Sequence, residues 1–109
     1  MQTATIVAPK VSRNLTSSMV AIGSYSPSSA AIVTGLYLTN KTGASVTVRV
    51  SVWDGSNDTY ICYDTPIGAN DTLNVLQNGK LDLVSTWNVR ASCATGSAVD
   101  AVMCVTEVV

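Results

Sequence analysis

Between Ser45 and Trp53 four valines, Val46, Val48, Val50 and Val52, alternate strictly with Ser45, Thr47, Arg49 and Ser51. Successive side chains of an extended chain point to opposite faces, so this stretch is a strand with one apolar face for a core and one polar face for water. The same period of two recurs along the chain, and the 3.6-residue period of an amphipathic helix is nearly absent. A chain of 109 residues holds one small core and not two. The expectation is an all-β fold: an antiparallel β-sandwich of jelly-roll or immunoglobulin-like type, with seven or eight strands.

Turn residues divide the rest into strands. Ala31 to Asn40 reads as a strand, Asn40-Lys41-Thr42-Gly43 as a turn, and Asp54-Gly55-Ser56-Asn57 as the turn into a return strand, Asp58 to Tyr63. These three strands are expected to form a meander. Pro66 and Gly68 mark Asp64 to Asn70 as a loop, followed by strands at Asp71 to Leu76 and Lys80 to Val84, with Asn78-Gly79 as a type I′ hairpin between them. The last two strands are Trp87 to Cys93 and Ala98 to Val108. A hairpin turning at Gly96 pairs Trp87 with Val105, Val89 with Met103, Ala91 with Ala101 and Cys93 with Val99, all apolar. That register puts Trp87 and Cys93 in the core, and turns Val102 and Cys104 outward. The backbone layer between them then forbids a Cys93–Cys104 disulfide.

Residues 1–30 contain few large apolar residues, and serines flank the short run Met19 to Ile22. One domain over 1–109 is expected, with the sandwich over 31–109 and residues 1–30 as an N-terminal arm or edge strands. Such an arm contributes to docking on a neighbour more than to folding. The first 18 residues place Pro9, Lys10 and Arg13 where the apolar run of a signal peptide would sit, so synthesis in the cytoplasm is expected. Apolar runs such as Ala30 to Val33 fall far short of the roughly 18 to 20 residues that cross a bilayer. No membrane partner is expected.

The chain has no histidine, so neither a Ser-His-Asp nor a Cys-His nucleophile can be built, and imidazole metal sites are excluded. Asp54, Asp58, Asp64 and Asp71 fall in turns or at strand ends, where capping of backbone amides accounts for them, and no catalytic residue is assigned. Asp54, Asn57 and Asp58 offer oxygens but lack the spacing of a calcium loop. Cys62, Cys93 and Cys104 have no metal-ligand spacing, and the glycines are spread among turns instead of forming a phosphate-binding loop. No cofactor and no metal is called for. A net charge of −1 offers no basic patch, which argues against nucleic acid as a partner. Asn14, Asn40, Asn57 and Asn70 each begin an Asn-x-Thr tripeptide, which in a chain this rich in Thr and Asn is chance. Trp53, Tyr60 and Tyr63 cluster around one hairpin and would suit a carbohydrate-binding module. The structural reading of the aromatics is preferred, with Tyr37 and Tyr60 capping the sheet interior.

Charged residues make up only 12% of the chain, about half the usual share, so the surface is poorly protected against self-association. A surface of this kind is suited to being covered. The candidate contact residues are Val102 and Cys104 on the outward face, with Met19 and Val20 in the N-terminal run, and a homo-oligomer is expected.

Ile32-Val33-Thr34-Gly35-Leu36-Tyr37-Leu38-Thr39-Asn40, Val46 to Trp53 with Asp54-Gly55, Tyr60, Asp71-Thr72-Leu73, Lys80-Leu81 with Leu83, and Val89-Arg90-Ala91-Ser92 carry a resemblance. Over roughly residues 31–107 the chain resembles the small β-sandwich virion proteins of tailed bacteriophages, which occur as head decoration (cement) proteins and as head-to-tail or tail components. Those chains often place an acidic residue and a glycine before the strand that begins here at Trp87, where this one has Ser85-Thr86. The resemblance implies a non-enzymatic virion protein that binds the major capsid protein or other virion subunits and stabilises the outer head. A neck or tail component is the alternative within that class.

Overall fold

The computed structural model describes residues 4–108; Met1 to Thr3 of the N-terminal stretch and Val109 lie outside the described residues. The elements are β1 (Ala4–Ile6), β2 (Lys10–Ser12), β3 (Val20–Ala21), a 3₁₀ turn (Ile22–Ser24), β4 (Ala30–Asn40), β5 (Val46–Trp53), β6 (Asp58–Ile67), β7 (Thr72–Asn74), β8 (Leu81–Val84), β9 (Asn88–Cys93) and β10 (Val99–Val108). All pairings are antiparallel. One sheet runs β1-β10-β4-β7, with β2 also on β10 and β8 also on β4; the other runs β3-β9-β5-β6. Along β10, β1 and β2 lie end to end, and so do β7 and β8 along β4. Among the described residues ten segments therefore fill eight strand positions, four to a sheet. Numbered along the chain, those positions run 1-8-3-6 and 2-7-4-5, the connectivity of a jelly roll and not of an immunoglobulin sandwich.

The valine alternation of β5 does what its period demands: Val46, Val48 and Val50 are buried, and β9 adds Val89, Ala91 and Cys93. Facing them from the other sheet are Val33, Leu36 and Leu38 of β4 and Val99, Ala101, Met103 and Val105 of β10. In β4 the alternation slips one residue at Thr34, where the register against β10 jumps from Gly35 to Val33. This bulge brings Ala31 and Val33 onto the same face as Leu36 and Leu38.

Several expected pairings are corrected. β4 and β5 lie in different sheets, so the three-strand meander does not form; only its second half, the β5–β6 hairpin, is present, with Trp53 opposite Asp58. β9 and β10 are likewise in opposite sheets, and the hairpin at Gly96 is replaced by a crossing from one sheet to the other. Their inward faces match because both look into one core. Trp87 precedes β9 and is 37% exposed, outside the core. Cys93 is buried while Cys104 is half-buried on the outer side of β10, and both thiols are free, as is that of Cys62. Leu76 to Gly79 does form a turn of type I′ character, with Gln77 and Asn78 at φ 49° and 71° and the Gly79 N–H donating to the Leu76 carbonyl. It joins two segments that share a side of β4 and so makes no hairpin. β6 continues through Pro66 to Ile67 because it is an edge strand, where a missing N–H costs no ladder bond.

The N-terminal stretch is woven into this frame. β2 pairs with β10 and β3 with β9, while Leu15 and Ile22 are among the largest fully buried side chains and Tyr25 is buried too. Only β1 is exposed along its whole length, with Ile6 88% exposed. Asn14, at φ 55°, is held by its backbone N–H donating to Asp100 at 2.8 Å and by Lys41, which donates to its side-chain carbonyl and pairs with Asp100 at 3.0 Å. Burial alone would raise the Asp100 carboxyl, but the Asn14 N–H and the Lys41 ammonium outweigh it and hold the group below the usual carboxylate range. A depressed native value contributes stability that is present above the unfolded value, about 3.9, and is lost as the pH falls through the native one. Asp100→Asn is therefore expected to lower the urea midpoint at pH 7, and the gap to wild type should close below about pH 4. A gap independent of pH would assign the effect to packing instead of charge.

Candidate functional site

Two outer sheet faces and one cleft offer surface for recognition. On the outer face of the β1-β10-β4-β7 sheet, Val102 lies between Val11 of β2 and Tyr37 of β4, and Cys104 lies opposite Gly35. Val11 and Tyr37 are 48% and 38% exposed. The Tyr37 ring folds over Gly35, where an added Cβ would stand 2.9 Å from the ring. Ile32 extends the strip opposite Thr106. Asp100 and Asp82 lie at its ends, so the middle of the strip carries no charged side chain. Parity along β10 is what turned Val102 and Cys104 outward. Val11 carries no such signal, because a three-residue strand has no period; Tyr37 alternates locally with the inward Leu36 and Leu38, and the bulge at Thr34 breaks that parity only toward the start of β4. Tyr37 thus faces out and does not cap the interior, and Tyr60, 41% exposed, faces out from the other sheet. Met19 is half-buried and Val20 is 42% exposed on β3, at the edge of the opposite sheet. The structure therefore does not bring Met19 and Val20 together with Val102 and Cys104.

The outer face of the β3-β9-β5-β6 sheet is polar and aromatic. The Arg90 guanidinium lies 3.9 Å from the centre of the Trp53 ring, and that of Arg49 lies 4.1 Å from the Tyr63 ring. Tyr60 meets Tyr63 edge-on at 4.9 Å. Arg49 also donates to both carboxylate oxygens of Asp64, at 2.8 and 3.3 Å, which holds that carboxyl below its usual range. A shallow cavity of about 290 Å³ beside this pair is lined by Ser17, Thr47, Arg49, Asp64, Ser92 and Ala94. The three aromatics that suited a sugar platform are thus brought together, but a ring face of Trp53 and one of Tyr63 are each occupied by an arginine.

The carboxylates singled out in turns serve local structure. Asp54 accepts from the N–H groups of Ser56 and Asn57, Asp58 from the Ser51 hydroxyl, and Asp71 from the Thr72 N–H. Among the described residues no three His, Cys, Asp or Glu side chains are gathered as metal ligands. The cleft, about 240 Å³, opens between the edge strands β6 and β8 and is lined by Val52, Asp54, Thr59, Leu81, Asp82 and Trp87.

No protein-family model and no curated protein sequence matches the chain. Solved structures do match its fold. A chain in the acid-stable capsid of the Helicobacter pylori bacteriophage KHP30 is 14% identical, with a TM-score of 0.53 over 100% of this chain and 97% of that one. The NLP core of Drosophila, whose crystal structure bears on pentamer formation and histone binding, is 14% identical at a TM-score of 0.51, over 94% of this chain and all of the other. A chain of the Bacillus endospore appendages, which are disulfide-linked pili, is 16% identical at 0.51, over 97% and 88%. At this level of identity the likeness shows a shared β-sandwich fold, matched nearly end to end in each case.

Proposed function

We propose that this protein is a virion structural subunit, a jelly-roll decoration protein that binds the outer surface of a phage head and staples neighbouring capsomers. The observation that carries this reading is the uncharged outward strip of Val11, Tyr37, Val102 and Cys104 on a chain with few charges anywhere. Left open to water, such a strip invites association; covered by a capsid surface, it supplies interface area without any chemistry. The end-to-end likeness to a chain of a phage capsid supports the choice of assembly, and β1, paired with the end of β10 but exposed along its whole length, is the part of the N-terminal stretch that offers surface for docking. The role is structural and not catalytic, and homo-oligomer contacts are part of the proposal.

Val102→Lys tests it. The position is half-buried and outward, so the variant should fold, with a melting temperature within a few degrees of wild type, while its attachment to purified particles falls about tenfold or more. Unchanged attachment would overturn the strip as docking surface. Copy number separates the alternatives: hundreds of copies per particle mean decoration, and about a dozen mean a neck or tail component.

A further inference from the structure

The cleft between β6 and β8 combines three features that nothing in the fold requires together. Its walls are apolar, from Val52, Leu81 and the exposed Trp87. Asp54 and Asp82 are among its lining residues, Asp82 at the rim from the outer side of β8, and neither forms an ion pair among the described residues. Asp54 takes its two backbone N–H bonds through Oδ1 alone, and these hold it ionised, below the usual carboxylate range. At about 240 Å³ the cleft is smaller than the roughly 300 to 1,000 Å³ of sites that enclose whole small molecules. One long side chain fills it better than an oligosaccharide does.

The molecule shows elsewhere what such a set of groups holds. Arg49 lies over the Tyr63 ring and is clamped by Asp64, and Arg90 lies over Trp53. Trp87 with Asp54 and Asp82 repeats that pattern of aromatic ring and carboxylate without the arginine. We infer that the cleft receives an arginine side chain from a partner protein, its methylene stem along Val52 and Leu81 and its guanidinium between Trp87 and the two carboxylates. A guanidinium suits the site better than an ammonium, because its plane stacks on an indole while its edge donates to carboxylates. In the proposed virion role, on which the identity of the partner rests, the arginine belongs to a neighbouring capsid subunit.

The test uses N-acetyl-argininamide as probe, with the Trp87 and Trp53 indole N–H and the Leu81 amide followed by NMR. The Trp87 and Leu81 signals should move saturably while Trp53 stays in place. The corresponding lysine amide should bind more weakly, and Asp82→Asn should weaken binding roughly fivefold or more. Asp54→Asn keeps the turn acceptor, so any loss of binding in that variant reports charge and not unfolding. Trp87→Leu, read at the Leu81 amide, should abolish the response. No saturable shift, equal binding to Asp82→Asn, or a stronger response to a neutral methyl glycoside would each overturn the inference. Failure here and failure of the virion reading are distinguishable: the probe can bind while Val102→Lys attaches normally, or fail to bind while Val102→Lys loses attachment. The arginine's assignment to a capsid subunit is overturned if Asp82→Asn fails to bind the probe yet attaches to particles as wild type does.

Discussion

Val50→Asp is expected to abolish folding. Val50 is fully buried at the centre of its sheet, between Cys62 of β6 and Ala91 of β9, and its side chain faces the core. The side chains of the core cluster carry no cation, and the Tyr25 hydroxyl among them already donates to Glu107. The new carboxyl must be buried ionised without a partner or be neutralised at the cost of a raised pKa, and either choice costs several kcal/mol against a total stability of about 5 to 15. Expression should give insoluble protein or a chain without a cooperative thermal transition. Val50→Ala, which only leaves a cavity, should cost about 1 to 3 kcal/mol and still melt cooperatively. A soluble Val50→Asp protein with the near-ultraviolet circular dichroism of wild type would show that the valine face is not the core.

Asn40→Asp is expected to have the next largest effect, at a residue that reads in the sequence as an ordinary turn. Asn40 is fully buried at the end of β4, and its side-chain amide nitrogen lies within hydrogen-bond distance of the carbonyls of Ala44, Ile67 and Gly68, at 2.8, 3.1 and 3.1 Å. Its carbonyl accepts from the Thr42 N–H and hydroxyl. One side chain thus ties the β4–β5 connection to the end of β6. An aspartate there turns an oxygen toward three carbonyl oxygens and removes the amide donor from those of Ile67 and Gly68, while that of Ala44 is still within reach of the Thr42 hydroxyl. The expected cost is about 3 kcal/mol or more, a drop in melting temperature of about 12 °C or more. Because the buried carboxyl gains a donor proton in acid, the gap between Asn40→Asp and wild type should narrow as the pH falls. A variant melting within two or three degrees of wild type would remove Asn40 from the structural frame.

Which residues point inward was legible in the sequence, and which strands are neighbours was not. Val46, Val48 and Val50, then Val89, Ala91 and Cys93, then Val99, Ala101, Met103 and Val105 all follow the alternation into the core. Alternation records only that a face is buried, however, and two strands that face each other across a core show the same apolar match as two that are hydrogen-bonded side by side. That is why the match between β9 and β10 looked like a hairpin although the two lie in opposite sheets. Leu15 was missed because a single apolar residue among polar neighbours has no period, and the run Met19 to Ile22 is too short to show that Ile22 is its buried member.

The surfaces divide the same way. Val102 and Cys104 face outward by parity along an unbroken strand, a property of the local backbone that the sequence by itself determined, together with the all-β class, the single core and the absence of histidine chemistry. The pairing of Val11 and Tyr37 with that strip, and the cleft that joins Asp54 on the β5–β6 turn to Asp82 on β8 and to Trp87 after it, were decided only by the tertiary structure. Each depends on which edges the jelly-roll crossings bring side by side. That choice is made by burial summed over the whole core, which acts without direction or memory of sequence distance, so no local pattern records it.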